Sequence, residues 1–382
     1  MTKTVSRRLM IVATMVMLMA IVAACAAPTA APAGTEATTA PAAAEKVKIG
    51  LSFSDFATER WKPESEIIKA GLEALGYEVL VQEANHDVKL QNDQIDNMVS
   101  QGVKALIVVA EDGDAVVTSV DKAADAGVKV IAYDRLIKSP KIAGYISFNN
   151  QEVGRQQADG VMKALGIDTW DVAANGPAKV VMLGGSPTDN NAILFRKGQM
   201  DVVQPLVDAG TVEIVADQWV DNWDAANASK LMENILTAQQ NDIDAVVASN
   251  DGTGLGALTS MKAQGLAGTV PISGQDATAD GCNSIVKGEL TVSILKDIRN
   301  LGPLSVEMVD KLLKGEAITN LMEYTMADLT NDPAQVGSVN ALFLPVQQVN
   351  KDNAYDLCVK NGFQNYDDVY RDIPEDQRPP RP

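Results

Sequence analysis

The sequence contains few of the side chains that most often bind metals or carry out nucleophilic catalysis. Its 382 residues include one histidine and three cysteines. The histidine, His86, stands in the polar stretch EANHDVK, which is typical of a solvated loop. Cys282 and Cys358 fit no CxxC metal pattern. We therefore expect no metal site and no cofactor, and catalysis that depends on histidine is poorly supplied.

Positive charge is also scarce. There are 32 Lys and Arg residues against 50 Asp and Glu residues, so the formal net charge is −18 at pH 7. A nucleic-acid-binding protein presents a basic surface to phosphates, and no basic cluster interrupts this acidic chain. Nucleic acid is therefore not an expected partner, and the acidity is attributed to solubility.

Long apolar runs are missing from most of the chain, but one occurs near the N-terminus. MTKTVSRRLM carries three cations and is followed by IVATMVMLMAIVAA, which together have the form of a secretory signal. The run is shorter than the roughly 20 residues of a membrane span. It ends at VAAC, which resembles the lipobox of bacterial lipoproteins, so residues 1–24 are predicted to be a signal peptide and Cys25 to be acylated. The alternative is an ordinary signal cleaved nearby, with Cys25 incidental.

The next segment, AAPTAAPAGTEATTAPAAAE, has no large apolar side chain to bury. With Cys25 it makes residues 25–45 a predicted tether. It would hold a soluble domain outside the cytoplasm, anchored to the cell membrane by lipid. In that compartment an even pair of cysteines is a candidate disulfide, so Cys282 and Cys358 are predicted to be bonded.

From residue 46 onward, Val/Ile/Ala-rich strands alternate with amphipathic helices that end at glycine. KVKIGLSF, YEVLVQEA and VKVIAY indicate strands, and ESEIIKAGLEALG indicates a helix. The alternation resumes after residue 178 with AKVVMLGG, VEIVADQW and DAVVAS, while residues 166–178 are predicted to be irregular. Near-continuous apolar strands that alternate with helices predict an α/β protein with two doubly wound parallel-sheet lobes.

Polar side chains gather where the predicted strands end, which is where open parallel sheets bind their ligands. Helix capping could explain the Asp and Asn residues, but it does not explain the cations and tryptophans. The residues at the strand ends are Arg60, Trp61, Asp134, Arg135, Asn149, Asn150, Asp189, Asn190, Asn191, Trp219, Trp223, Asn250, Asp251, Asp276 and Lys296.

This mixture suits a sugar. Asp, Asn and Arg offer planar, often bidentate partners for hydroxyl groups, and an indole can cover the apolar C–H face of a pyranose. Carboxylates and cations occur together, which favours a net-neutral polyol. A phosphate ligand is disfavoured because no P-loop pattern is present.

From residue 46 to about 365 the chain resembles the periplasmic sugar-binding proteins of ABC transporters, the type I fold, and most of all their D-xylose-binding branch. The sequence motifs that it shares with them include NDQIDNMVSQGV, VIAYDRLI, YISFNN, GGSPTDNNAILFRKGQ, DQWVDNW and SGQDA. The resemblance implies two lobes joined by three crossover strands, with a sugar in the cleft. Its N-terminal lobe would comprise residues 46–152 and 298–343, and its C-terminal lobe residues 153–297 and 344–371. Residues 372–382 are predicted to be a disordered tail.

The resemblance also implies roles for individual residues. Trp223 would pack on the sugar ring, with Trp61 as a second wall, and Arg196 would orient its neighbours or form an ion pair. The D-xylose branch usually has Asp where this chain has Asn149, so D-glucose and other aldoses stay open beside D-xylose. The implied polar sugar contacts are Arg60, Asp134, Arg135, Asp189, Asn191, Asn250, Asp276 and Lys296.

The predicted function is therefore monosaccharide binding for an ABC importer by a monomer that docks on membrane permease subunits. A glycosidase is disfavoured because the carboxylates of Asp134, Asp189 and Asp276 lie among cations that would keep them ionised, whereas a general acid needs a raised pKa. A sugar-responsive repressor is disfavoured because a signal and tether stand where its helix-turn-helix would be. A receptor that reports sugar to a chemoreceptor or sensor kinase remains an open alternative.

Overall fold

A computed structural model describes residues 45–382, of which Lys46–Pro382 form one compact unit. The predicted signal peptide, the acylated Cys25 and nearly all of the tether lie outside the described residues. Seven strands form the first sheet, in the order β11-β12-β5-β4-β3-β1-β2, and only β11 is antiparallel to its neighbour within it. These strands are β1 (Lys48–Phe53), β2 (Glu78–Glu83), β3 (Ala105–Val108), β4 (Lys129–Tyr133), β5 (Gly144–Phe148), β11 (Met322–Thr325) and β12 (Ser338–Leu344).

Two three-stranded sheets, in the orders β7-β6-β8 and β13-β10-β9, continue one another. A parallel bridge from Val246 to Ile272 joins them, so β8 lies beside β9. Their strands are β6 (Ala178–Gly184), β7 (Val212–Trp219), β8 (Ala245–Ala248), β9 (Ser273–Gln275), β10 (Val292–Leu295) and β13 (Gln347–Val349). The chain passes between this second group and the first sheet after β5, after β10 and after β12, which gives three crossings.

Helices cover the sheets. Within the described residues, α1 packs on α10, α4 on α6, and α7 on α8. The helices are α1 (Trp61–Ala74), α2 (Val88–Ser100), α3 (Val117–Asp125), α4 (Asn150–Leu165), α5 (Val172–Asn175), α6 (Asn190–Asp208), α7 (Ala225–Ala238), α8 (Asp251–Ala263), α9 (Ala279–Lys287), α10 (Ile298–Lys314), α11 (Met326–Thr330) and α12 (Tyr366–Tyr370).

Strand β3 shows why the strands of the first sheet have apolar residues at successive positions of the sequence. Ile107 packs into the core that α1 and α10 cover, whereas Leu106 and Val108 pack into the core that α2 and α3 cover. Successive side chains of a strand point to opposite faces, so a sheet covered on both faces needs apolar residues at every position. The predicted α/β class with parallel sheets is confirmed, and the division of residues between lobes stays a prediction.

Two predictions about irregular segments are wrong in part. Residues 166–178 contain a 3₁₀ turn, Ile167–Thr169, and the short helix α5. The expected disordered tail has definite contacts, because Tyr355 and Tyr366 donate hydrogen bonds from their hydroxyls to the carbonyls of Pro380 and Pro379 at 2.8 and 2.6 Å. A proline-rich segment has little conformational freedom to lose on docking. Among the described residues, none of the helices is both long and apolar enough to cross a membrane.

Candidate functional site

One cavity lies at the carboxyl ends of strands from both sheet groups. It brings together all ten side chains that the sequence singled out for sugar contact. Thr58, Phe195 and Gln275 also line it and were not predicted. The lining residues are Thr58, Arg60, Trp61, Asp134, Arg135, Asp189, Asn191, Phe195, Trp223, Asn250, Gln275, Asp276 and Lys296.

The aspartates and asparagines of this cavity also shape the backbone. Asp189 is the N-cap of α6 and accepts from the Asn191 amide at 2.9 Å, and Asn250 caps α8 through the Thr253 amide at 2.8 Å. Capping and ligand contact are therefore compatible, because a cap uses only one carboxylate or amide oxygen. Asp134 and Asp276 have φ values of 60° and 93°, a left-handed conformation that is uncommon for residues other than glycine.

Arg60 is the centre of the charge network. Its Nε lies 2.5 Å from Glu64 Oε1, and its Nη1 lies 3.0 Å from Asp134 Oδ2 and 3.5 Å from Asp276 Oδ1. Glu64 is fully buried and also accepts a hydrogen bond from the Tyr133 hydroxyl. Sequence reasoning missed Glu64, although it lies one helical turn after Arg60, the spacing at which such pairs meet.

Arg135 connects the two sheet groups at a second point. Its Nε lies 3.0 Å from Asp189 Oδ2, and its Nη1 donates to the Ala110 carbonyl at 3.1 Å and lies 3.6 Å from Glu111 Oε2. A planar guanidinium can hold several partners at once in fixed directions. Arg135 is therefore held from behind by the loop after β3 and faces Asp189 across the cavity.

Asn191 makes a third connection. Its amide nitrogen donates to the main-chain carbonyl and to Oδ1 of Asp134, both at 3.0 Å. Its amide oxygen accepts from Asn150 Nδ2 at 2.7 Å and from the Tyr145 hydroxyl at 3.3 Å. Asn149, by contrast, is exposed and caps α4 through the Glu152 amide. The departure from the xylose branch at Asn149 therefore lies outside the cavity lining.

The tryptophans need room that glycine provides. Trp223 lines the cavity and packs against Phe195 with ring centroids 6.2 Å apart. A Cβ on the buried Gly185 would overlap the six-membered ring of the Trp223 indole. Gly184 lies in the same way against Trp219. Gly184 and Gly185, which begin the GGSPTDNN motif, are therefore required because two indoles approach the main chain closely there. Trp61 is buried beneath Arg60, whose guanidinium lies 4.4 Å from its ring centroid.

The pKa values of Asp134 and Asp189 shift in opposite directions. Burial alone would raise the pKa of Asp134, but Arg60, Lys296 and Arg135 lower it below its usual value. Burial raises the pKa of Asp189, with Arg135 opposing. Two cations lie within 4 Å of Asp134 and outweigh the effect of burial on its pKa, whereas one cation lies within 4 Å of Asp189 and does not.

Several buried polar atoms around the cavity have no hydrogen-bond partner among residues 45–382. Four of them are Arg60 Nη2, Trp61 Nε1, Trp223 Nε1 and Gln275 Oε1, and two more, Asp134 Oδ2 and Arg135 Nε, have ion-pair contacts only. A buried polar group without a partner costs about 1–3 kcal/mol, so these atoms indicate a ligand that offers both donors and acceptors. The free space between the side chains is only about 20 Å³, room for about one water molecule. A ligand larger than water at this place would displace the contacts that join the two sides of the cavity.

Residues 49–317 match the family described as the periplasmic binding protein domain. The chain belongs to this family. The predicted fold class and family resemblance are thereby confirmed.

Two relatives and one solved structure illustrate the similarity. The D-xylose-binding periplasmic protein of Escherichia coli (strain K12) is 41% identical over 326 residues, covering 85% of this chain and 93% of that protein. The multiple sugar-binding periplasmic receptor ChvE of Rhizobium radiobacter is 35% identical over 353 residues, covering 88% and 96%. The structure of an ABC transporter solute-binding protein from Clostridium phytofermentans with bound beta-D-glucose has a TM-score of 0.76 and 30% identity, covering 84% and 99%.

A wider chamber of about 410 Å³ adjoins the cavity of this periplasmic binding protein. The two share the side chains of Thr58, Arg60, Trp223, Asn250 and Asp276. His86 also lines the chamber. The prediction that His86 is a solvated loop residue is wrong, since its side chain is 20% exposed and lies between two buried carboxylates.

Three other predicted residues lie away from the cavity lining. Arg196 forms an ion pair with Asp217, one of the two roles expected of it. Cys282 and Cys358 are buried, and their Sγ atoms lie 3.0 Å apart as free thiols. The structure thus brings the two cysteines together across 76 positions of sequence, and their bonding stays a prediction.

Proposed function

We propose that this protein is an extracytoplasmic substrate-binding lipoprotein of a sugar ABC importer. It binds one aldose monosaccharide in the cavity and does no chemistry on it. The observation that carries the proposal is the set of buried polar atoms without a hydrogen-bond partner on residues that line the cavity, Arg60 Nη2, Trp61 Nε1, Trp223 Nε1 and Gln275 Oε1. These atoms come from both sheet groups, so a polyhydroxy ligand would satisfy them only when the two sides are closed.

The charge balance of the cavity favours a neutral ligand. Its lining carries three cations and three carboxylates, so a sugar brings no charge that must be compensated. The six groups are Arg60, Arg135, Lys296, Asp134, Asp189 and Asp276. Relatives named for D-xylose and a neighbour solved with beta-D-glucose support an aldose, and we propose D-xylose, with D-glucose as the alternative.

Closure of the two sheet groups around the sugar would be the conformational change on which transport depends. Four contacts between lining side chains span the cavity between the sheet groups: Arg60 to Asp276 at 3.5 Å, Arg135 to Asp189 at 3.0 Å, Lys296 to Asp134 at 3.5 Å and Asn191 to Asp134 at 3.0 Å. These groups pair with one another across the cavity. A sugar would take over part of these contacts and favour the closed state by binding it better than the open state.

The lobes would be residues 46–152 with 298–343 and residues 153–297 with 344–371. The closed monomer would dock on the membrane subunits of the permease, and acylated Cys25 with its tether would keep it at the membrane. Metabolic labelling of full-length protein with a fatty acid tests the anchor: wild type should carry the label and Cys25→Ser should not. Label on Cys25→Ser would contradict it.

A sugar receptor for chemotaxis or a sensor kinase is the second candidate, favoured by the relative named as a receptor. Both candidates share the binding step. Uptake of labelled sugar in cells that lack the chain separates them, because an importer component is required for uptake and a receptor is not.

The binding experiment uses two neighbouring asparagines as a matched pair. Protein that has been unfolded and refolded, to remove carried-over sugar, is titrated calorimetrically with D-xylose, D-glucose, ribose, arabinose and galactose. Asn191→Ala removes a cavity residue and should weaken binding at least about tenfold, since it removes hydrogen bonds to a charged partner. Asn190→Ala is the control, because Asn190 Nδ2 donates to Leu329 at 2.7 Å and Asn190 lies outside the cavity lining. Equal losses in both variants, or no binding of any aldose, would contradict the proposal.

A further inference from the structure

A cluster of His86, Asp55 and Glu111 stands directly behind Arg135, in the loops that follow β2, β1 and β3. Asp55 and Glu111 are 1% and 5% exposed, so both carboxylates are buried. His86 Nδ1 lies 3.2 Å from Glu111 Oε2, and its Nε2 lies 3.7 Å from Asp55 Oδ1. Each ring nitrogen therefore faces a carboxylate oxygen, an arrangement that suits the doubly protonated imidazolium.

Glu111 Oε2 is shared between His86 and Arg135. The same oxygen that contacts His86 lies 3.6 Å from Arg135 Nη1, while Arg135 Nε lies 3.0 Å from Asp189. Arg135 is thus placed between a carboxylate behind it and a carboxylate across the cavity. Any change in the negative charge available on Glu111 alters how strongly Arg135 is drawn back from the cavity.

We infer that His86 and Glu111 are positioning residues that control, through the proton on His86, how firmly Arg135 is presented to the cavity and hence how tightly the sugar binds. The inference rests on the proposed function. When His86 is protonated it engages Glu111, and Arg135 is left to Asp189 and the ligand. When His86 is neutral, its unprotonated nitrogen repels the carboxylate it faces, and Glu111 draws Arg135 away.

The surroundings of His86 favour the protonated form. The hydrogen bond to Glu111 raises the pKa of His86, burial opposes this, and Asp55 adds to the rise while Arg135 reduces it. Across the adjoining chamber His86 also faces further charged groups, which are Glu59, Arg60, Asp224, Asp276 and Asp280. Most of these groups are acidic, so they do not reverse the preference.

The chain has one histidine, so a histidine titration that affects sugar affinity can be assigned to His86. Protein purified without a histidine tag is titrated with its tightest sugar between pH 5.5 and 8.5. We expect affinity to fall about three- to tenfold as the pH rises, the effect of weakening one charge contact. His86→Gln, which cannot titrate, should give a flat profile near the high-pH affinity of wild type. Glu111→Gln should also flatten the profile.

Asp251→Asn is the matched control, because burial raises the pKa of Asp251 to about 8 and this group could otherwise produce the same trend. We expect this variant to keep the wild-type profile. A flat wild-type profile, or a His86→Gln variant that keeps the wild-type slope, would overturn the inference.

A second measurement needs no variant. The Hε1 resonance of the single imidazole is followed by NMR through a pH titration, with and without saturating sugar. Because coupling between two binding events is reciprocal, a three- to tenfold gain in affinity requires sugar to raise the His86 pKa by about 0.5–1. An unchanged pKa refutes the inference and leaves the proposed function standing. Absence of binding at every pH refutes the proposed function itself, and the inference with it.

Discussion

Gly185 offers the sharpest test of how the cavity wall is built. Its φ is not positive, so alanine is compatible with the backbone, but an added Cβ would overlap three ring atoms of Trp223. Forcing a methyl group into such a packed site costs about 1–3 kcal/mol of stability. The indole must also move, and losing roughly 50 Å² of apolar contact with a sugar costs about 1.3 kcal/mol. That corresponds to a roughly tenfold weaker Kd.

Gly252 is a matched control beside the main chain of the same tryptophan. It lies in the first turn of α8, and its added Cβ would meet Asn250 Nδ2 at 3.6 Å and the Trp223 carbonyl at 3.8 Å, which are ordinary contacts. Gly252→Ala should therefore keep the wild-type affinity and gain about 0.5–1 kcal/mol of stability, the usual gain in a helix. Titration calorimetry gives the affinities, and chemical denaturation gives the stabilities.

A double-mutant cycle separates the overlap from a general effect of the substitution. If the indole is the obstacle, Gly185→Ala should cost little stability in a Trp223→Ala background, because the overlapping atoms are gone. Displacement of the Trp223 indole would be excluded if Gly185→Ala bound sugar as tightly as wild type. It would also be refuted if the stability cost were the same in both backgrounds.

Three further perturbations follow from named contacts. Arg135→Lys should weaken sugar binding about tenfold by calorimetry, because one ammonium cannot hold Asp189 and the Ala110 carbonyl together; an unchanged Kd would contradict this. The folded pKa of Asp251 is raised to about 8 by burial, so its stabilising contribution is complete below its ordinary pKa and is lost as the pH rises through about 8. Between the ordinary pKa of an aspartate and about 8, the unfolding free energy of wild type should therefore fall by up to about 1.4 kcal/mol per pH unit relative to that of Asp251→Asn. Denaturant titrations at several pH values measure this difference, and the same pH dependence of stability in both proteins would contradict the prediction. A Cys282–Cys358 bond should leave no reactive thiol in unreduced protein and add about 4 kcal/mol over the Cys282→Ala/Cys358→Ala variant; two reactive thiols would exclude the bond.

The fold could be predicted because its signals are local. Apolar strands such as β3 and β8 are buried at every position, and this pattern indicates a sheet covered on both faces without reference to any distant residue. The strand ends then indicated the cavity, since parallel strands place their carboxyl ends at one edge. Ten of the fifteen strand-end residues line it, and these ten are the ones that the family resemblance implied as sugar contacts.

The second layer of the site was not predicted, and the physical reason differs from residue to residue. Glu111 follows β3, so the search for polar side chains at strand ends could have found it. It lies in the stretch EDGD, however, which by itself indicates only a polar loop. Asn150 stands at a strand end, yet nothing local shows that it orients Asn191 from 41 positions away. His86 looked solvated because its neighbours along the chain are polar, whereas its neighbours in space are buried acids.

The sequence alone determined the order of strands and helices and the type of chemistry at their ends, because periodicity and residue type are properties of neighbouring positions. The tertiary structure decided which charges meet. Arg60 contacts an aspartate 216 positions away, and one oxygen of Glu111 is shared by His86 and Arg135. Electrostatic interaction depends on distance and burial, and neither can be read from separation along the chain.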